Sequence, residues 1–329
     1  MLTRRRAILS SAGLLALTAT ARAPIARAEV LHKTARLIVG FPAGGGTDVI
    51  ARIVAEKLRD SYAPAVIVDN RPGAAARIAV DYVKRADPDG SVLLFTPDFP
   101  LTVYPHSYPK LAYDPVADFA PVSPCARSML TVSTGPAVPD SVTSVPDFIA
   151  WAKAHPDRAQ YATTSPGATP HFVGVMLARE AHAELTPVHY QGGAPALQDL
   201  LGGHIPLSVN PISETLPFAK SGGIRILAVT GRQRSTYLPD VPTLSEQGYN
   251  VVVQSWIGMF APAKTPAATV DALNQAVKTA VAAPDYVASL ARFGNEPAYQ
   301  TPAEFAATVK ADIAAWGPVV KESGFVAQD

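Results

Sequence analysis

Residues 36–68 read RLIVGFPAGGGTDVIARIVAEKLRDSYAPAVIV. The first six residues are apolar and β-branched apart from an opening Arg and a Gly, a pattern that reads as a buried strand ending at Phe41. From Thr47 to Tyr62 the apolar residues Ile50, Ile53, Val54 and Leu58 recur at helical spacing, and Ala65–Val68 is again apolar and β-branched. The stretch therefore predicts a βαβ unit, and such a unit implies a parallel pair covered by its helix. Downstream the alternation continues. Helices are predicted over 78–86, 145–154, 171–181, 195–201, 267–282, 286–293 and 302–322. Strands are predicted over 92–95, 160–163, 188–190, 224–230 and 256–260. The fold class that follows is α/β, with mostly parallel sheets covered by helices.

Composition narrows the function classes. The chain has 329 residues, 48% hydrophobic and 17% charged, which suits a globular chain of about two domains. One cysteine, Cys125, excludes an internal disulfide and a cysteine-based zinc site, both of which need a pair. The seven histidines show no metal-ligand spacing, so neither a metal nor a cofactor is expected. Lys and Arg total 28 against 27 acids, a balance that offers no footprint for nucleic acid. The first 28 residues read as an export signal: Arg4-Arg5-Arg6, an apolar run from Ala7 to Ala19, and Ala26-Arg27-Ala28 as a cleavage site. The arginine pair resembles a twin-arginine signal without its usual Phe, leaving the export route open. A run of 13 apolar residues is shorter than the ~20 a membrane span needs. Cleavage after Ala28 would leave 23 basic against 27 acidic residues in an extracytoplasmic, oxidising space.

Two loops carry the chemistry. Phe41-Pro42-Ala43-Gly44-Gly45-Gly46-Thr47-Asp48 lies between a strand end and a helix start, where unpartnered N–H groups and the helix dipole stabilise an anion. No Lys-Ser/Thr pair follows and the glycines do not fit G-x-G-x-x-G, so it is no nucleotide loop. Thr47 or Asp48 as a plain N-cap is the competing reading. A second strand-to-helix loop runs Thr164-Ser165-Pro166-Gly167-Ala168-Thr169-Pro170-His171, and the two are expected to face each other across a cleft. Ser165 with His171 lacks both a G-x-S-x-G setting and an orienting acid, so ligand contact or capping is preferred to catalysis.

Further segments join these loops: VDNRPG (68–73), DPDG (87–90), LAYDPVADFAPVS (111–123), YATTSPGATPHFVG (161–174), VHYQGGAPALQDLLGGHI (188–205), RILAVTGRQRSTYLPDVPTLSEQGY (225–249), WIGMFAPAKTP (256–266) and WGPVVKESGF (316–325). Together they resemble the tripartite tricarboxylate transporter substrate-binding proteins, the Bug or TctC family of periplasmic solute receptors. That resemblance implies a periplasmic-binding-protein fold of two α/β lobes that close on a ligand, here 29–126 plus 254–329 and 127–253, with crossings near 127–131 and 254–258. It implies no catalysis and a monomer that binds a small organic anion, often a di- or tricarboxylate, an acidic amino acid or an aromatic acid, and delivers it to the membrane permease subunits. Signalling to a membrane sensor kinase is the alternative, and a periplasmic hydrolase the remote one.

Carried over residue by residue, the resemblance implies ligand contacts from Phe41, Ala43, Gly44, Gly45, Gly46, Thr47, Asp48, Thr164, Ser165, Gly167, Ala168, Thr169 and His171, with Asn210 in the cleft wall. The departures are informative. The family's NRPGAGGNIG appears here as NRPGAAARIA (70–79), placing alanines at 75 and 76 and Arg77 where Asn is usual. Arg77 is either a cation facing the cleft or a helix-end charge. The lysine of the family's YKG is Gln191, and the acid of VDLMFD is Asn210. Loss of an acid at 210 predicts a carboxylate ligand without an α-amino group. Phe41, Tyr190 and Trp256 either stack on an aromatic ligand or pack in the core.

Overall fold

The computed structural model describes residues 31–327; the expected export signal at 1–28 lies outside them. The opening unit forms as predicted: β1 (Ala35–Val39), α1 (Gly46–Leu58) and β2 (Val66–Asn70), with β1 and β2 parallel. The helix turns Ile50, Ala51, Val54, Ala55 and Leu58 onto the sheet, all of them buried. Each large aliphatic side chain so enclosed contributes roughly 1.5–3 kcal/mol. α2 (Arg77–Lys84) and β3 (Val92–Pro97) follow, β3 pairing parallel with β1. Two one-turn helices, α3 (Phe99–Thr102) and α4 (Tyr104–Ser107), lead into the 16-residue strand β4 (Phe119–Thr134).

The second half repeats the alternation: α5 (Val145–Ala154), β5 (Gln160–Thr163), α6 (Thr169–Glu180), β6 (Thr186–His189), α7 (Gly193–Leu201), β7 (Leu207–Pro211), α8 (Ile212–Lys220) and β8 (Arg225–Val229). The long strand β9 (Gln254–Pro262) returns to β3 and β4. The chain closes with α9 (Ala267–Ala282), α10 (Pro284–Ala291), the short β10 (Glu296–Pro297) and α11 (Pro302–Ser323).

Strand order is β2-β1-β3-β9-β4-β7-β5-β6, with β8 and β10 also paired to β4. The expected parallel pairing holds at the two wings, β2-β1-β3 and β7-β5-β6, while the centre is antiparallel. This is a two-lobe α/β fold. β4 links the wings: Phe119–Met129 pairs with β9, and Leu130–Thr134 pairs with β7. Pro121 and Pro124 lie at its two register shifts, because proline has no N–H for the ladder. Cys125 on this strand is fully buried, as expected of an inert thiol, and burial holds it protonated.

The NRPGAAARIA departure has a backbone consequence. Ala74, Ala75 and Ala76 all take the left-handed conformation, at φ of 46°, 55° and 71°. A non-glycine residue there costs about 1–2 kcal/mol, whereas glycine loses more entropy on folding. Replacing Ala74 and Ala75 together by Gly should therefore stabilise the fold by about 1 kcal/mol. A higher urea midpoint at unchanged slope would register this, and a lower midpoint would refute the strain.

Candidate functional site

A cleft opens where the two wings meet. Its walls include the first-turn residues of four helices: Gly46 and Thr47 of α1, Thr169 and Pro170 of α6, Gly193 and Ala194 of α7, Ser213 and Glu214 of α8. First-turn N–H groups have no intrahelical acceptor and carry the positive end of the helix dipole. The Gly46 N–H donates to Glu214 Oε1 at 3.0 Å, and no acceptor among the described residues takes the N–H groups of Thr47, Thr169, Gly193 or Ala194. Four positive helix ends thus share one cleft.

The two expected loops do meet there, though only part of each reaches the cavity. Phe41, Ala43, Gly45, Gly46, Thr47, Thr164 and Thr169 line it. Asp48 does not: its buried carboxylate accepts from the Gly44 N–H at 2.9 Å, from Arg52 and from Asn70, which bolts the loop to β2. Burial raises its pKa, but these three partners outweigh burial and leave it lowered. The N-cap of α1 is Gly45, with no side-chain cap, so neither Thr47 nor Asp48 fills that role.

In the second loop, Gly167 and Ala168 shape the turn away from the cavity. Gly167, at φ 67°, packs against Ser107 and Phe325 and donates its N–H to His171 Nδ1 at 3.1 Å. His171 is buried between Phe172, His189 and Phe325, and burial, with His189 beside it, drives its pKa down to about 3. It is a neutral spacer behind the loop. Ser165 hydrogen-bonds Tyr104 at 3.2 Å and lines an adjoining cavity.

Asn210 is the clearest departure from expectation. It lies behind the wall, where its Nδ2 donates to the Gly193 carbonyl at 3.3 Å, and it is not among the residues lining the cleft. Two acids that sequence reasoning passed over are lining residues instead. Asp98, which follows β3, accepts from Ser255 at 2.9 Å and Thr169 at 3.2 Å. Burial, with a smaller contribution from Asp312, outweighs these donors and pushes its pKa up to about 7. Glu214 has Oε1 on Gly46, while its Oε2 is shut off from solvent with no hydrogen-bond partner; burial raises its pKa. The Ser213 hydroxyl beside it is also buried and unpartnered. Glu214 was hidden because β7 and α8 adjoin without a turn; the only local signal was Pro211, the last residue of β7.

Arg77 lines the adjoining cavity with its guanidinium 4.1 Å over the Tyr108 ring, and Tyr190 lines that cavity too. Trp256 packs against Phe260 and Phe305 and donates Nε1–H to Asp312, a core position. Phe41 lies on the cleft wall, edge-on to Phe99 with ring centroids 5.8 Å apart.

Residues 50–325 match the sequence pattern of the tripartite tricarboxylate transporter family receptor. The chain belongs to that family. It is 32% identical over 319 residues to the protein BugT of Bordetella pertussis, a span covering 96% of this chain and 97% of BugT. The receptor superposes with a TM-score of 0.85 on R. palustris Rpa4515 solved with adipate, at 32% identity over 89% of this chain and 98% of that one. The periplasmic binding protein BugD gives the same TM-score at 30% identity, over 91% of this chain and all of its own. No helix among the described residues is long and apolar enough to cross a membrane.

Proposed function

We propose that this receptor is exported to the periplasm, binds one small organic carboxylate in the cleft and delivers it, without catalysis, to the permease subunits of a tripartite tricarboxylate transporter. The observation that carries the reading is the convergence of the α1, α6, α7 and α8 N-termini on one cavity with amides to spare. The carboxylate of the adipate-bound relative fits this reading, as do the apolar walls around Phe41, Phe99, Leu130 and Ile257, which suit an aliphatic or aromatic body. A di- or tricarboxylate or an aromatic acid is the ligand class this reading proposes. The lobes proposed are 29–126 with 254–329, and 127–253. Their hinge is the stretch where Arg127, Ser128 and Met129 pair with Trp256, Ser255 and Gln254 before β4 changes partner at Leu130. A hydrolytic role is disfavoured because Ser165 is held by Tyr104 and not by His171.

Thermal-shift screening against carboxylic acids tests the proposal, and Thr47→Pro localises the seat. Proline at the second helical position removes one N–H at little cost to the helix; α5 and α6 already carry Pro146 and Pro170 there. A hydrogen bond to a charged group contributes about 1.5–3 kcal/mol, so the best acid of the screen should bind Thr47→Pro at least about tenfold more weakly. A screen without a stabilising acid, or an unaffected variant, would refute the reading.

A further inference from the structure

An anion entering this cleft brings negative charge to a wall that already carries some. Among the described residues lining it, none is Lys, Arg or His, and two are acids, Asp98 and Glu214. The ligand carboxylate therefore finds helix-end amides but no side-chain cation to offset a like charge nearby. Asp98 is the acid placed to respond. It is 3% exposed and accepts from Ser255 of β9 at 2.9 Å and from Thr169 of α6 at 3.2 Å. Both hydroxyl residues line the cleft, and the Thr169 N–H is one of the spare amides there.

A hydroxyl has one hydrogen to give, and an ionised carboxylate has none. While Asp98 is ionised it takes the hydrogens of both hydroxyls, leaving only oxygen lone pairs for an incoming anion. A proton on Asp98 reverses one of these bonds. The carboxyl O–H then donates to Thr169 or Ser255, and that hydroxyl can turn its own hydrogen toward the ligand. The same proton removes the like charge.

The neighbouring groups favour that proton. Asp312 of α11, which accepts from Trp256 Nε1, adds negative charge from behind, and Glu214 of α8 lies on the same cleft wall. His171, two residues beyond Thr169 on α6, is held neutral by burial, and Tyr104 of α4, packed on Phe99, keeps its proton. The Phe99 N–H also donates to the Asp98 carboxylate, yet burial outweighs every donor and Asp98 titrates at about 7 before any ligand arrives.

We propose that the receptor takes up a proton from solvent at Asp98 as it binds its ligand, so that carboxylate and proton enter the cleft, and leave it, together. This rests on the receptor reading above and adds the regulation of that site by pH. A bound anion raises the Asp98 pKa further. Below about pH 7 the free receptor already holds the proton and affinity is flat. Above that, affinity falls by up to about tenfold per pH unit until Asp98 in the complex titrates as well.

Calorimetric titration with adipate and with benzoate, each in buffers of low and high ionisation enthalpy, counts the proton. Uptake should reach about half a proton or more per ligand at about pH 8 and fall close to none at about pH 5.5. Asp98→Asn keeps an acceptor for Ser255 and supplies an N–H where the protonated acid has its O–H. It should abolish the uptake and, at about pH 8.5, bind about tenfold more tightly than the parent, matching the parent's affinity at low pH. A variant that had merely lost structure would bind more weakly. Binding without proton uptake, or uptake that persists in Asp98→Asn, would overturn the proposal and leave the receptor reading intact. Failure of both probes and of every acid in the thermal-shift screen would overturn both.

Discussion

Replacing Gly193 by Ala should weaken carboxylate binding by roughly a hundredfold or more and destabilise the unliganded protein by about 2 kcal/mol. A Cβ at this position would lie 1.5 Å from Glu214 Oε2 and 2.5 Å from its Cδ. The backbone of Gly193 is ordinary in φ, so the substitution carries no conformational strain of its own. The Glu214 side chain must yield. In yielding it gives up the Gly46 N–H, and its displaced carboxylate enters the space the ligand needs. An orphaned buried donor and a misplaced carboxylate together cost on the order of 1–3 kcal/mol. Because the loss runs through a contact between two residues, a double-mutant cycle resolves it. With Glu214→Ala already in place, Gly193→Ala should cost less than about 0.5 kcal/mol in urea unfolding. Additive losses would mean that the α7 turn, and not the carboxylate, is what the methyl group disturbs.

Asp98 sets the second large effect, in the pH dependence of stability. Its carboxyl titrates at about 7 in the folded protein, against about 3.9 in an unfolded chain. Below about pH 4 both states hold the proton and the full contribution is present. Between there and pH 7 only the folded protein holds it, so stability falls as pH rises, by about 1.4 kcal/mol per unit and on the order of 4 kcal/mol in total. Above pH 7 the loss levels off. Asp98→Asn keeps an acceptor for Ser255 and removes the charge, so it should flatten this component. The difference between variant and parent in urea unfolding free energy should grow in favour of the variant from pH 4.5 to 7.5. Curves that run parallel across this range would exclude Asp98 as the group responsible.

The wings of the fold were legible because each carries its own period. Ile50, Val54 and Leu58 announce α1, and the helices 145–154 and 267–282 begin and end at the residues expected. The centre was not. β4 carries Pro121 and Pro124 and changes partner at Leu130, so its pairing follows from contacts far along the chain and its own alternation is broken. The candidate site divides in the same way. The glycine loop advertised itself through residues whose backbone freedom is visible in the sequence. Glu214 and Asp98 did not, because an acid becomes unusual only when it is enclosed, and enclosure here comes from four helices distant in sequence. The inference from Asn210 failed for that reason: a family position was read as a wall residue, whereas Gly193 screens it from the cleft.

The placement of Cys125 offers an experimental handle. The chain's one thiol is walled in by packing and kept in its unreactive protonated form. A cysteine introduced at Ala43, which is exposed on the rim, would therefore take a thiol-reactive fluorophore with no competing label. Emission from that single dye would follow opening and shutting of the cleft in real time, turning the receptor into a reporter of its own ligand.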